Sequence, residues 1–367
     1  MSRLAELIEE LCPDGVEYKP LSECVVLPSI PSGLKRNQYE NSGSYPIVDQ
    51  GRGKIAGFTC DETKLVRDVP GIVFGDHTRE IKYVDYFFVP GADGVKWIRA
   101  VDGISIRYLF HCLTSLSIPS RGYNRHWILV REMLIPVPPL EVQREIVRIL
   151  DQFTTLEAEL EAELEARRTQ YEHYRNRLLS YESLADCGPV SLVPLRECIE
   201  LCFGERITKT QHAGTLYPVY GGGGASFMTD SFNRADEFVI SRFALSEACV
   251  RFVPGEFWLL DSGITFNVNE LCCDKRYVGQ FLLSRQNDIY RRSAGAAQRN
   301  LKIAEFLSME VPLPGLAEQR RIADLLDRFD ALVNDISSGL PAEIAARRAQ
   351  YEHYRDRLLS FPEKKAE

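Results

Sequence analysis

Residues Ala166–Ser180 read ARRTQYEHYRNRLLS, and residues Ala346–Ser360 read ARRAQYEHYRDRLLS. Two segments 180 positions apart differ only at Thr169/Ala349 and Asn176/Asp356, so the chain contains an internal duplication. The repeat reaches upstream, where Gln143-Arg144 answers Gln319-Arg320 and Leu150–Phe153 answers Leu326–Phe329, now offset by 176. The second copy is therefore four residues longer in its middle. Apolar residues of the first copy fall at Ile146, Leu150, Phe153, Leu156, Leu160, Leu164, Tyr171, Tyr174 and Leu178. Steps of three and four make one stripe on an α-helix. No Gly or Pro interrupts Leu140–Ser180, and such a helix would be roughly 60 Å long at 1.5 Å per residue. It needs a partner helix, and the second copy, with the same stripe, is the obvious one.

The second copy also contains Ser337-Ser-Gly-Leu-Pro341, where an interior proline predicts a kink or break. The first contains three tandem tetrads, at Leu156, Leu160 and Leu164, which read as a spacer changing length by whole units. One added tetrad would lengthen the helix by about 6 Å. In a chain of 367 residues there is room for two or three cores. The opening MSRLAELIEELCPDG carries acids through its apolar stretch and does not read as a signal peptide. No apolar run is long enough to span a membrane. Ten scattered cysteines fit reduced thiols and a cytoplasmic protein. The net charge is −8, and no long segment is basic overall, so a polyanion would be held by local clusters with a partner supplying part of the positive surface.

Residues 1–138 lack helical periodicity and are dense in Gly, Pro and β-branched or aromatic residues. Strands are predicted over Val69–Phe74, Ile81–Val89 and Val95–Val101, with a helix near Ser105–Leu116. Residues 190–313 repeat that plan at low similarity. Pro20–Cys24 matches Pro194–Cys198, Tyr45–Val48 matches Tyr217–Tyr220, Phe88–Gly91 matches Phe252–Gly255, and Ile135–Pro138 matches Val311–Pro314. The globules diverge while the stems stay alike, which suggests one scaffold presenting two readers.

The order globule, helix, globule, helix resembles the specificity subunit of type I restriction–modification systems across essentially the whole chain. The resemblance rests on the Pro-x-Pro globule ends, the helix starts LEVQREIVRILDQF and LAEQRRIADLLDRF, and the doubled tail. Phe74–Arg79, Gly91–Lys96 and Gly295–Asn300 add to it. It implies an α+β protein with two target recognition domains in pseudo-two-fold arrangement, separated by a long antiparallel two-helix coiled coil. The domains would be 1–138 and 183–313, with long helices at 139–182 and 314–361 and a tail at 362–367. It further implies a non-enzymatic subunit, each domain reading one half of a split site in double-stranded DNA. Two methyltransferase subunits would dock on the helices, and restriction subunits would join. S-adenosylmethionine, ATP and Mg would belong to those partners, with no cofactor in this chain. The tandem tetrads resemble a family feature tied to spacer length.

The residues themselves contain neither a glycine-rich cofactor loop nor an Asn/Asp-Pro-Pro-aromatic motif, and Gly221–Gly224 lacks the Gly-Lys-Ser/Thr of a phosphate loop. Asp49 with Glu62-Thr-Lys64, or Asp76 with Glu80-Ile-Lys82, has the residue types of a nuclease core, but neither triplet recurs, and ordinary surface charge explains them. Cys198, Cys202, Cys272 and Cys273 lack paired zinc spacing; no catalytic or metal residue is assigned. Candidate DNA contacts are Arg, Lys, Asn, Gln and companions in loops. In the first globule these are Lys35, Arg36, Asn37, Arg52, Lys54, His77, Arg79, Arg121, Tyr123, Asn124 and Arg125. In the second they are Arg206, Lys209, Gln211, Arg242, Arg291, Arg292, Gln298 and Arg299. Candidate partner contacts are Arg167, Arg168, Tyr171 and Tyr174, repeated as Arg347, Arg348, Tyr351 and Tyr354. The rival reading is a coiled-coil scaffold whose globules bind proteins.

Overall fold

A computed structural model describes residues 3–91, 93–120, 122, 124–243, 245–295, 299–334 and 339–364. The chain forms two compact units, one of residues 1–161 with 344–367 and the other of residues 162–343. The first long helix, Leu140–Leu178, is continuous, as its uninterrupted helix formers predict. The second copy is two helices, Leu316–Asn334 and Gly339–Leu358. Residues 335–338 lie outside the described residues, so the predicted break falls partly there. Pro341 sits in the first turn of the later helix, where its missing N–H costs no hydrogen bond.

In the first unit a four-stranded antiparallel sheet runs in the order Val25–Val26, Val95–Ala100, Gly71–Gly75, Ile81–Val84. A three-stranded sheet orders Gly57–Thr59, Tyr45–Val48, Val89–Pro90, the last pair parallel. The predicted strand Ile81–Val89 is thus two strands that serve different sheets. The predicted helix runs Ile106–Ser115, capped by Ser105. In the second unit one six-stranded sheet orders Ile199–Phe203, Gly263–Val268, Arg234–Ser241, Val250–Leu259, Tyr217–Tyr220, Ala225–Thr229. There the strand Val250–Leu259 serves both functions, antiparallel to Arg234–Ser241 and parallel to Tyr217–Tyr220.

Register makes the two units comparable residue by residue. Val25 pairs with Ala100 as Ile199 pairs with Val268, and four residues back Lys96 faces Phe74 as Ile264 faces Ile240. Phe74 faces Ile81 as Ile240 faces Val250, so Lys82 corresponds to Arg251 and Tyr83 to Phe252. The parallel pairs Val48–Pro90 and Tyr220–Leu259 make Phe88 the counterpart of Phe257, both fully buried. The match of Phe88–Gly91 to Phe252–Gly255 is therefore incorrect. A short apolar tetrapeptide with Pro-Gly fits many strand ends, and only the ladder distinguishes them.

Each unit is closed by the same device. A ribbon of two strands, Glu17–Pro20 with Leu134–Val137 or Ser191–Pro194 with Glu310–Leu313, delivers the chain to a long-helix start. Gln143, fully buried, accepts the Ser105 N–H (2.8 Å) and donates to Gly103 O (3.1 Å) and Pro138 O (2.7 Å). Gln319 does the same with the Asp274 N–H, Cys272 O and Pro314 O. Tyr108 donates to Pro136 O as Tyr277 does to Pro312 O.

The tail that completes each unit comes from the other repeat. In the first unit Tyr351 meets His111 (3.0 Å), and Leu358, Leu359 and Phe361 join the core. In the second, Tyr171 meets Gln280 (3.4 Å), and Leu178 and Leu179 join the core. Phe153 stacks on Tyr354 at 5.3 Å, and further along Glu157 and Glu161 both pair with Arg348. Numbering rises along one helix as it falls along the other, so this pair is antiparallel.

Candidate nucleic-acid interface

In the first unit four loops are tied at one end of the sheets. Gln50, in the loop after Tyr45–Val48, donates to Asp93 O (2.8 Å), accepts the His77 N–H (3.3 Å), and its carbonyl accepts the Thr78 hydroxyl. Asp76 is buried, its carboxylate accepts the Trp127 N–H (2.8 Å), and its carbonyl accepts the His126 N–H (2.8 Å). Arg79 donates to Ile118 O at 2.9 Å. These bonds join residues 49–54, 76–80, 91–94 and 118–127, and bring Arg52, Lys54, His77, Arg79, Asn124 and Arg125 onto one connected set of loops. All of these but half-buried His77 are exposed. The exposed Lys35, Arg36 and Asn37 adjoin it, because Leu34 bridges Gly91. Arg121 and Tyr123 lie outside the described residues.

The second unit ties its loops with other residues. Arg242 lies over the rings of Phe203 (5.0 Å) and Phe243 (4.7 Å), and its carbonyl accepts the Leu301 N–H. Glu205 donates its N–H to Leu259 O and accepts from the Trp258 indole, which places the exposed Arg206 beside this set. Arg299 turns inward, donating to Ser293 (Oγ 2.8 Å, O 3.0 Å) over the Tyr290 ring. Arg292 bonds Asp288 O, and Arg291 is exposed. Lys209 and Gln211 stand on a short helix leading to residues 214–216, at the opposite end of the Tyr217–Thr229 hairpin from Gly221–Gly224. They are not brought together with Arg242. Gln298 lies outside the described residues.

Composition could not reveal what supports these loops. Lys82 and Asp76 are not surface charges: Lys82 is 7% exposed and Asp76 2%. Lys82 Nζ donates to Asp49 O (2.7 Å) and lies 3.8 Å from the Asp49 carboxylate. Burial pushes the lysine pKa down, and Asp49 and Glu80 oppose that shift. Neither expected set assembles: Lys82 meets Asp49 of the other set, and the Asp76 carboxylate is engaged by the Trp127 N–H. The ammonium is engaged by a backbone carbonyl, and no metal-holding group of three His, Cys, Asp or Glu occurs among the described residues. Alternation in Ile81-Lys-Tyr-Val84 reads Lys82 as a solvent position; only the second layer of loops makes it an interior one.

Among the repeated tail residues, Tyr171 is 4% exposed and Tyr351 half-buried, both bonded within their own units. The expectation that these two face a partner is therefore corrected: they sit on the helix face that closes each core. Tyr174 and Tyr354 are exposed, as are Arg167, Arg168 and Arg348; Arg347 is half-buried. Arg167 pairs with Glu163 and Arg348 with Glu157 and Glu161.

Two like frames carrying unlike cationic loops define a duplicated recognition protein. The family model described as type I restriction modification DNA specificity domain matches the chain twice, at residues 32–166 and 226–346, and the chain belongs to that family. A type I restriction enzyme specificity subunit of Escherichia coli is 28% identical over 99% of this chain and 98% of its own length. The crystal structure of the type I restriction–modification S subunit from M. genitalium shares the fold, with TM-score 0.61, 15% identity, and 94% and 96% of the two chains covered. A second solved chain, from work on complex assembly of a type I system, aligns with TM-score 0.53 at 16% identity, covering 95% and 98%. The protein is a specificity subunit, the non-catalytic DNA-recognition component of a type I restriction–modification system.

Proposed function

We propose that each unit reads one half of a split, asymmetric DNA site. The observation that carries this reading is the pairing of equal frames with unequal loops. Gln143 and Gln319, Tyr108 and Tyr277, and the paired ribbons repeat, whereas the cationic loop sets share almost no side chain. Selection for one common task with two targets leaves that pattern. Exposed guanidinium and ammonium groups contact phosphates, and a few side chains reach base edges. The acidic total charge then confines binding to these loops. The exposed residues Arg167, Arg168 and Tyr174 and their copies, exposed Arg348 and Tyr354 and half-buried Arg347, dock two methyltransferase subunits, to which restriction subunits add. S-adenosylmethionine, ATP and Mg are bound by those partners in the cytoplasm.

The test is methylation mapping in cells carrying the complete system. A split motif is expected, and replacing residues 199–309 by those of a relative should change one half and leave the other. A single contiguous motif, or a change in both halves, would overturn the reading.

A further inference from the structure

Lys82 and Arg251 occupy the same place in the two ladders, opposite Val73 and Val239. The local sequences agree with this, since IKYV around Lys82 and VRFV around Arg251 both read aliphatic, cation, aromatic, valine, although the strands differ in length. Both side chains point toward the loop after the first hairpin strand. That loop begins at Asp49 in one unit and Gly221 in the other, as the parallel pairs Val48–Pro90 and Tyr220–Leu259 require. Lys82 donates to Asp49 O. Arg251 donates to Gly222 O and Gly223 O, one and two residues further along the corresponding loop. A lysine offers one compact donor and an arginine a planar fork, which fits one carbonyl in the first case and two in the second. Both cations therefore hold their loop through backbone carbonyls, Lys82 with the Asp49 carboxylate beside it and Arg251 with a further bond to Ser241 Oγ (3.4 Å), and the loops' outer faces stay open. In the first loop Arg52, Gly53 and Lys54 are exposed, and in the second Gly223 and Gly224.

The glycines give an independent indication. A Cβ at Gly221 would lie 2.6 Å from Ser262 Oγ, and one at Gly222 would lie 3.0 Å from Phe243 O, so a side chain at either would crowd its own unit. A Cβ at Gly223 or Gly224 would meet nothing within 4 Å, and neither residue has the positive φ that favours glycine. Nothing inside the chain asks for glycine there. Bare backbone on an exposed, rigidly backed loop suits the close approach of an external polyanion.

We propose that Lys82 and Arg251 are equivalent positioning residues, each setting the hairpin loop of its own unit against one DNA half-site, with Gly223 and Gly224 forming part of the contact face in the second unit. The inference rests on the half-site reading above and names the groups that hold the reading loop in place. A carbonyl held from behind by a cation keeps the loop's N–H groups and side chains directed outward, so loss of the cation releases the loop without removing any contact residue. The effect belongs to one half-site for each cation.

The experiment uses the assembled complex of the full chain with its methyltransferase, and binding to duplexes substituted base pair by base pair across both half-sites. Lys82→Met should flatten discrimination in one half-site by roughly tenfold to a hundredfold, the size of one or two lost contacts, and leave the other half unchanged. Arg251→Met should do the converse. Lys82→Arg and Arg251→Lys keep the charge and a donor to the loop and should restore part of the discrimination, Arg251→Lys the less because it holds one carbonyl of the two, and they serve as the reading pair where a methionine variant does not fold. Gly223→Val should weaken binding without lowering the melting temperature. Lowered melting temperature with both substitution profiles intact, or Gly223→Val binding as the parent does, would overturn the proposal. If the parent complex itself discriminates in neither half, the half-site reading fails first, and this inference falls with it.

Discussion

His111 is fully buried, and burial pushes its pKa down to about 4, against the opposing pull of Asp151. Arg107 and Arg355 lower it further. Neutral, the ring donates through Nε2 to Asp151 (3.0 Å) and accepts the Tyr351 hydroxyl at Nδ1 (3.0 Å). The counterpart in the other unit is Gln280, whose amide donates to Asp327 (3.1 Å) and accepts from Tyr171 (3.4 Å). An amide and a neutral imidazole thus do the same work, but only the imidazole titrates. Its folded pKa lies below the unfolded value of 6.5, so between about 4 and 6.5 the unfolded chain binds more protons and stability falls as pH falls. At about 1.4 kcal/mol per pH unit the loss reaches roughly 3 kcal/mol by pH 4, with none above 6.5. His111→Gln should remove this component, and Gln280→His should install it in the second unit. Urea unfolding of each variant from pH 4 to 7 measures it; an unchanged slope in His111→Gln would refute the assignment.

Among elements, the long helices and their entries were legible in the sequence, and the loop supports were not. Leu140–Leu178 follows from composition and period because a helix is a local structure, and duplication doubled the evidence. The break near Pro341 was legible for the same reason. Strand partners were not, since the ladder joining Val89 to Ile47 depends on residues 42 positions apart, and a motif match put Phe88 opposite the wrong counterpart. The stripe also buried unevenly: Ile146, Leu150 and Tyr171 are interior, while Leu156, Leu160 and Leu164 are half-exposed. The apolar pattern did not reveal that unevenness. Gln143 and Gln319 were visible as repeated letters, but not as clamps. Replacing Gln143 by Leu leaves the Ser105 N–H and the Pro138 carbonyl buried without partners, at about 1–3 kcal/mol for each group. Gln319→Leu should cost the same at Asp274 and Pro314. Hydrogen exchange should show faster opening at residues 103–138 in the first variant and at 272–314 in the second. Opening of both segments in either variant would contradict two separate clamps.

At the scale of the whole molecule, the segments 16–18 and 361–363, near the two ends of the sequence, meet inside one unit. Val16 pairs with Glu363, its N–H donates to Pro362 O (2.9 Å), and Tyr18 donates to Phe361 O (3.0 Å). In the other unit the same junction is covalent, running from Ser180 to Val190. Gly188 lies in that connection, and a Cβ there would meet nothing within 4 Å. A chain whose ends are joined by a short linker and reopened at Gly188 should therefore fold to the same two units, with unfolding free energy within about 1–2 kcal/mol of the parent. Circular dichroism and urea unfolding of the permuted chain check this, and failure to fold would show that chain order matters beyond these contacts. The same closure governs the order in which the protein is made. Residues 162–343 are contiguous, so the second unit has all its parts once Glu343 is synthesised. The first unit, begun earlier, waits for Ile344–Glu367, and until then the surfaces around Tyr18 and His111 stand uncovered in the nascent chain. Translation thus completes the two units in the reverse of their order in the sequence, and a pause before residue 344 leaves the first unit without the segment that closes it.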